Sequence, residues 1–390
     1  MTTRNLRIII IGAGLIGPRH AQSVVSHPST DLIAFIDPSP SAIPVAESFG
    51  VPVYTSLQVF LSSSSAAQEG RAGAGADAAV ICTPNHTHIP ISLDLLRNGI
   101  KNILLEKPFS DTLESANALL HSLKDHPSAK ILVGHHRRFN PYTLSAKSLL
   151  DSGSLGNILA INGLWTLLKP PSYFASPTGQ WRADKTKGGV LGINLIHDID
   201  VLQFLLGPII RVFAESTTPQ RIKGNPKHTA EEGCAVTLRF KSGVVGTVLV
   251  CDAAPSPLNF ETGTGENPTI PGVDSAVSAS DCYRVFGSRG SLSFPDLTVW
   301  SYNNNNVRLK SGQEKEQEKG WNVPLDVQKA PVGGKDVKPF DKQWEHFVRV
   351  CKGEEEVKCS VEDGVRALKV VRGVRESMES GRPVEIPVDG

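Results

Sequence analysis

Four consecutive isoleucines, at positions 8–11, run directly into Gly12-Ala13-Gly14-Leu15-Ile16-Gly17. A β-branched run of that kind suits a strand buried on both faces, as in parallel sheets covered by helices. The glycines that end it have GxGxxG spacing. The first permits a tight turn, the second leaves room for a pyrophosphate, and the third lets the following helix pack close to the strand. Phosphate oxygens then sit on the free N–H groups at the helix N-terminus. Gly12, Gly14 and Gly17, with Leu15 and Ile16 between them, form a candidate dinucleotide-binding loop. An ordinary glycine turn fits the same letters, so the context decides.

That context is a regular alternation of short apolar runs and helix-length stretches as far as Arg138. DLIAFIDP, VPVY, ADAAVICTP, NILLEKP and AKILVGHH read as further strands. Residues 18–25, IPISLDLLRNG and DTLESANALLHSLKD read as helices between them. Strand–helix alternation predicts a doubly wound parallel sheet, α/β in class, over residues 1–138. The second strand ends at Asp37, about 20 residues beyond the third glycine, where a carboxylate accepts hydrogen bonds from the adenine ribose. A carboxylate there repels a 2′-phosphate, and Pro38 and Ser39 bring no arginine to receive one. The expected cofactor is therefore NAD(H) rather than NADP(H). Residues 61–77, rich in Ser, Ala and Gly, interrupt the pattern and read as a surface insertion.

Beyond Pro141 the period changes to two: ILAINGLW, IIRVFAES, CAVTLRF, VVGTVLVC, CYRVFG and LTVWSY are separated by turn signals such as KSG and GSRG. This predicts an α+β second domain, residues 139–390, with a large, open and mainly antiparallel sheet. The asparagine-rich SYNNNNVRLKSGQEKEQEKG reads as a loop. Two amphipathic helices close the chain, stopped by Gly353 and Gly381. The net charge is +1, which lacks the electrostatic footprint of a nucleic-acid binder or polybasic membrane adaptor. No stretch is long and apolar enough to span a bilayer, and six scattered cysteines without a CxxC pair suit free thiols in a reducing compartment. A cytoplasmic location is expected.

Three further segments carry candidate chemistry. TPNHTH places Thr83, Pro84, Asn85, His86 and His88 at the carboxyl edge of the parallel sheet, where such folds bind ligands. The two histidines lack the carboxylate or cysteine neighbours a metal would need, so no metal site is expected, and His88 reads as structural or as a cofactor neighbour. Glu106-Lys107-Pro108 ends the fifth strand. A lysine there, beside a cationic nicotinamide and out of water, would have a lowered pKa and could exchange a proton with a hydroxyl. A plain surface lysine is the competing reading. In GGVLGINLIHDID, Asn194, His197 and Asp200 fall at steps of three, near one helix face, and Gly188 and Gly189 let backbone approach a ligand. His197 read alone is more often a satisfied core histidine than a catalyst.

GAGLIG, TPNHTH, EKPFS, the RRFNP ending at Pro141, and GGVLGINLIHDID occur in an order and spacing that resembles the glucose–fructose oxidoreductase/inositol dehydrogenase (Gfo/Idh/MocA) family. The closing HFVRVCKG and VEDGVRALKVVRGVRESMESGRPVEI resemble that family's last segment. The resemblance implies an N-terminal Rossmann domain and a second domain whose sheet carries substrate on one side and often a subunit partner on the other. It implies Lys107 as the main catalytic residue with His197 beside it, and Asn194 orienting. Glu106 and Arg182 would lie near the cofactor with Thr83, Pro84, Asn85 and His88, while Arg138 and Trp181 would lie near substrate. One departure stands out: many members carry an aspartate four residues before the histidine, where this chain has Ile193.

The resulting expectation is an NAD(H)-dependent oxidoreductase acting on a secondary carbinol or ketone of a sugar, polyol, cyclitol or related cyclic diol. The partners expected are a small polyhydroxylated substrate and a second copy of the chain, as homodimer or homotetramer, with no nucleic acid and no membrane. Two alternatives share the fold. One is a non-catalytic NAD- and sugar-sensing regulator, which would need neither Lys107 nor His197. The other is an enzyme that cleaves glycosides through transient oxidation, with no net change in NADH.

Overall fold

The computed structural model describes residues 4–388 except 64–74, 176–178, 222–224, 226, 274–280, 303–305, 309–313, 317–318 and 335–336. The chain divides into two units, Met1–Phe139 with Val337–Lys369, and Asn140–Asp336 with Val370–Gly390.

In the first unit, strands β1 (Leu6–Ile11), β2 (Thr30–Ile36), β3 (Val53–Tyr54), β4 (Ala78–Ile81), β5 (Asn102–Leu105) and β6 (Lys130–Val133) form one parallel sheet in the order β3-β2-β1-β4-β5-β6. That order reverses between β1 and β4, the point where such sheets bind ligands beyond their carboxyl ends. Helices α1 (Gly17–Ser26), α2 (Ala42–Ser48), α3 (Leu57–Ser62), α4 (Asn85–Arg97) and α5 (Leu113–Asp125) make the crossovers. Ile8, Ile9 and Ile10 are fully buried, each contributing on the order of 1.5–3 kcal/mol by leaving water. Thr112 caps α5 by accepting from the Ser115 N–H, which fixes where that helix starts. Most of the surface insertion expected at residues 61–77 lies outside the described residues.

The second unit is built on a nine-stranded sheet. With β12 (Gly290–Phe294), β13 (Thr298–Ser301), β16 (Asp326–Lys329) and β17 (Val384–Glu385), its order is β16-β13-β12-β11-β7-β10-β9-β8-β17, with β7 (Ile158–Thr166) beside β10 (Val245–Cys251). That one pair is parallel; β10 with β9 (Gly233–Phe240), β9 with β8 (Ile209–Ser216), and β7 with β11 (Tyr283–Gly287) are antiparallel. Alternation along the strands gives the sheet two different faces. Val248 and Val250 are buried, whereas Val245 in the same strand is 43 % exposed. Two short paired strands, β14 (Asn306–Arg308) and β15 (Glu314–Glu316), occupy part of the asparagine-rich segment expected to be a loop.

The domain boundary needs a correction. The sequence placed everything after residue 138 in one domain, but Val337–Lys369 belongs to the first unit. The reason is the apolar face of the helix Pro339–Lys352. Its Trp344, Phe347 and Val348 join the core cluster built on β1, β4 and β5, with Trp344 and Phe347 almost wholly buried. Gly353 ends that helix in the left-handed conformation, its N–H returning to the carbonyls of Arg349 and Val350. Among the described residues no helix is long and apolar enough to cross a membrane.

Candidate active site

The glycine loop has the geometry its spacing predicts. A Cβ on Gly12 would lie 2.8 Å from the Cys82 carbonyl carbon, and one on Gly17 would lie 2.1 Å from the Gly12 oxygen. Both positions therefore exclude any side chain. Gly14 has nothing within 4 Å of the place a Cβ would take, and Leu15 is 84 % exposed. The first turn of α1 holds no acidic residue and Ile16 offers no side-chain cap; Pro18 has no N–H and the Arg19 and His20 N–H groups bond the Ile16 carbonyl, so the end of the glycine loop at Gly17 is the part left to an anion. Asp37 is tied to this loop: its carboxylate accepts from the Ala13 N–H and the Ser39 N–H, both at 2.8 Å. The open space at Gly14, the uncapped helix and the fixed carboxylate fit a dinucleotide.

Pro84 leads into α4 directly after Thr83, with Asn85 as its first residue. Of the two readings of His88, structural or cofactor neighbour, its contacts fit the structural one. Its ring is 1 % exposed, with Nε2 2.7 Å from the Thr83 carbonyl and Nδ1 3.0 Å from the Pro108 carbonyl. It ties the end of β4 to the loop after β5, and burial lowers its pKa.

Glu106 turns inward as well, so its expected place at the cofactor becomes a supporting one. Its Oε1 lies 2.8 Å from His20 Nε2, and its Oε2 accepts from the Lys107 N–H at 3.1 Å. Burial would raise its pKa, but the His20 hydrogen bond and charge, with Lys107 and His136, hold it at about 2. A Cβ on Gly134 would sit 3.1 Å from this carboxylate, so glycine there leaves the room it needs. His20 was not singled out in the sequence; its position three residues beyond Gly17, on the inner face of α1, was the available signal. Arg138, expected near substrate, is instead an internal tie: Nη1 donates to the Lys358 carbonyl at 2.8 Å and to Asp363 Oδ2 at 3.0 Å.

In the second unit a π-helical turn, Leu191–Leu195, precedes the helix Ile196–Leu206. The wider turn carries Asn194, and His197 follows in the first turn of the α-helix; both are nearly buried. Turns of this kind concentrate at functional sites. The preceding glycines serve packing rather than ligand approach, contrary to expectation. A Cβ on Gly188 would meet Arg182 Cα at 2.5 Å, and one on Gly189, whose φ is +85°, would meet Glu231 Oε1 at 2.2 Å. Trp181 is 41 % exposed. The Arg182 guanidinium lies 4.1 Å from the Tyr173 ring centre and donates to the Tyr173 carbonyl at 2.9 Å.

Asn194 is joined by a residue the sequence reading missed. Lys169, 7 % exposed, donates from Nζ to Asn194 Oδ1 at 2.6 Å and lies 3.4 Å from Asp252 Oδ2. Arg221 Nη1 holds the other Asp252 oxygen at 2.5 Å. Lys169 follows β7 and Asp252 follows β10, and the Lys169 N–H bonds the Asp252 carbonyl at 2.9 Å, so the parallel pairing of these strands delivers both residues together. Burial pushes the Lys169 ammonium down to about 8 against the opposing pull of Asp252 and Glu261. Among the described residues no group of three or more His, Cys, Asp or Glu side chains is placed to hold a metal.

Comparison with known proteins agrees with this architecture. Residues 6–135 match the family model described as "Oxidoreductase family, NAD-binding Rossmann fold", and residues 147–386 match "Oxidoreductase family, C-terminal alpha/beta domain". The chain belongs to the Gfo/Idh/MocA oxidoreductase family. Among family relatives, inositol 2-dehydrogenase of Rhizobium meliloti is 32 % identical over 52 % of this chain and 55 % of its own length. The scyllo-inositol 2-dehydrogenase (NAD(+)) of Bacillus subtilis is 30 % identical over 64 % of this chain and 68 % of its own. The chain thus aligns with little more than half of the first relative. The solved myo-inositol 2-dehydrogenase of Lactobacillus plantarum shares the fold with a TM-score of 0.72 at 21 % identity, covering 98 % of this chain and 100 % of that one.

Proposed function

We propose that this family member is an NAD(H)-dependent oxidoreductase that interconverts a secondary carbinol and a ketone on a sugar, polyol or cyclitol. The observation carrying the reading is that one parallel sheet presents, at its carboxyl edge, both an open glycine cradle tied to Asp37 and the Lys107 loop held by Glu106. A bound nicotinamide supplies the hydride acceptor or donor. Gly12, Gly14 and Gly17 hold its pyrophosphate, and Asp37 its adenine ribose. Lys107 takes the hydroxyl proton in oxidation and returns it in reduction, with His197 assisting and Asn194 orienting the carbinol. The inositol dehydrogenase relatives support a polyol or cyclitol as substrate, and the Bacillus subtilis relative's name supports NAD.

Purified protein mixed with NAD and a panel of inositols, sugars, sugar acids and cyclic diols tests the reading by NADH fluorescence. NADH should accumulate with at least one neutral polyol. Binding of NADH without turnover on any panel member would favour a sensor instead.

The same reading includes a homodimer or homotetramer formed through the exposed face of the nine-stranded sheet, where Val245, Thr247, Arg239 and Phe286 lie uncovered. A monomer in light scattering at micromolar concentration would refute it.

A further inference from the structure

An asparagine side chain can turn either its oxygen or its nitrogen toward a neighbour, and what the neighbour offers decides which. At position 194 the neighbour is an ammonium, which has donors only. Lys169 Nζ, 2.6 Å away, therefore takes the oxygen end. Asn194 Nδ2, with two N–H groups, is left as the outward end, and it has no hydrogen-bond partner among the described residues. Asn194 Nδ2 is not among the buried side-chain atoms left without a partner, so these two donors face solvent, where a ligand oxygen can replace water.

The surroundings say what kind of ligand that is. Lys169 and Arg221 are both matched: Asp252 takes one cation on each oxygen, and Glu232 lies 3.9 Å from Arg221 and accepts from the Gln220 and Arg221 N–H groups. Trp165, whose ring centre is 5.4 Å from Lys169 Nζ, donates to Glu261 at 2.8 Å. Neither Lys169 nor Arg221 is left over for a carboxylate. The unspent group is a neutral donor pair, which suits a neutral oxygen acceptor.

We propose that Lys169 is a positioning residue that locks Asn194 as a donor-only group, so that position 194 grips a hydroxyl or ketone oxygen of an uncharged polyol. The proposal rests on the oxidoreductase reading for its substrate class and adds the residue that sets polarity at this contact. It also gives Ile193 a consequence. Without a carboxylate at that place in the turn, the helix presents a donor to the substrate rather than a base. Asp252 reaches this contact only through Lys169.

The test is polyol binding to the protein–NADH complex by calorimetry, using inositols and sugars, in wild type and in Lys169→Met, Asn194→Ala and the double variant. Each single change should weaken polyol binding by about tenfold or more, the scale of one lost hydrogen bond to a buried group. NADH affinity should hold, and the double variant should bind no worse than Asn194→Ala alone. Asn194→Asp keeps the Lys169 contact as an ion pair but removes both donors, and should weaken binding equally; it serves where Lys169→Met fails to fold. Unchanged binding in Lys169→Met or Asn194→Asp, additive losses in the double variant, or no polyol binding by wild type would overturn the proposal. Polyol binding with the predicted pattern but no NADH turnover would refute the oxidoreductase reading and leave this one standing.

Discussion

His20 Nε2 lies 2.8 Å from Glu106 Oε1, linking the helix that follows the glycine loop to the strand end that carries Lys107. The other Glu106 oxygen holds the Lys107 N–H, so the backbone of the candidate acid/base is set by a buried carboxylate that His20 keeps ionised.

Removing His20 should therefore act on chemistry more than on cofactor binding. His20→Ala leaves Glu106 buried without its main partner and loosens the Lys107 loop. Turnover should fall by about 10- to 100-fold, the scale of a small displacement of a reacting group. NADH affinity should stay within several-fold, and His20→Gln, which still offers an N–H, should recover part of the loss. Full turnover in a folded His20→Ala protein, measured by steady-state kinetics with fluorescence titration of NADH, would contradict this.

Asp37 should set the cofactor. Its carboxylate is already fixed by the Ala13 and Ser39 N–H groups, so it cannot swing away from a 2′-phosphate. NADH should bind at least about tenfold more tightly than NADPH, a difference of roughly 1.4 kcal/mol. Asp37→Ser should narrow the gap. Equal affinities in the unaltered protein would refute the assignment.

The contacts in these two cases show what the sequence discloses and what it hides. Gly12, Gly14, Gly17 and Asp37 were legible because a tight turn, an open cradle and a ribose acceptor each demand a residue type at a fixed offset. The parallel sheet was legible from its apolar runs. Lys169 was not, because its meaning comes from Asp252, a partner 83 positions away that only the β7–β10 pairing brings alongside. His20 was hidden for the same reason, its partner lying on a different strand. Gly188 and Gly189 misled, since a glycine needed for close approach looks the same whether a ligand or Glu231 approaches. The return of Val337–Lys369 to the first unit was likewise invisible, because an amphipathic helix does not state which core it covers.

Lys169 should also leave a mark in the pH dependence of binding. The charged and titratable groups around it are Asp252 after β10, Glu261 near Trp165, Arg221, and Tyr173 on the segment that follows; burial outweighs them and puts the ammonium at about 8. Below that pH it is a cation and must donate to Asn194. Above it, a neutral amine gains a lone pair and the amide is no longer held in one orientation. Polyol affinity should be flat below about pH 8 and weaken above it, while Lys169→Met shows no such break. Calorimetry across that range checks this, and an identical slope in the variant would assign the break to another group.

Hydride transfer from a polyol carbinol leaves a trace that deuterium makes visible. A polyol oxidised by the protein, carrying deuterium on its carbinol carbon, is incubated with NAD and the reduced cofactor is examined by mass spectrometry and NMR. One deuterium per NADH formed is expected, placed at the reactive ring carbon, with loss of about 10² or more of this transfer in Lys107→Ala while NADH stays bound. Unlabelled cofactor, or full transfer in Lys107→Ala, would contradict it.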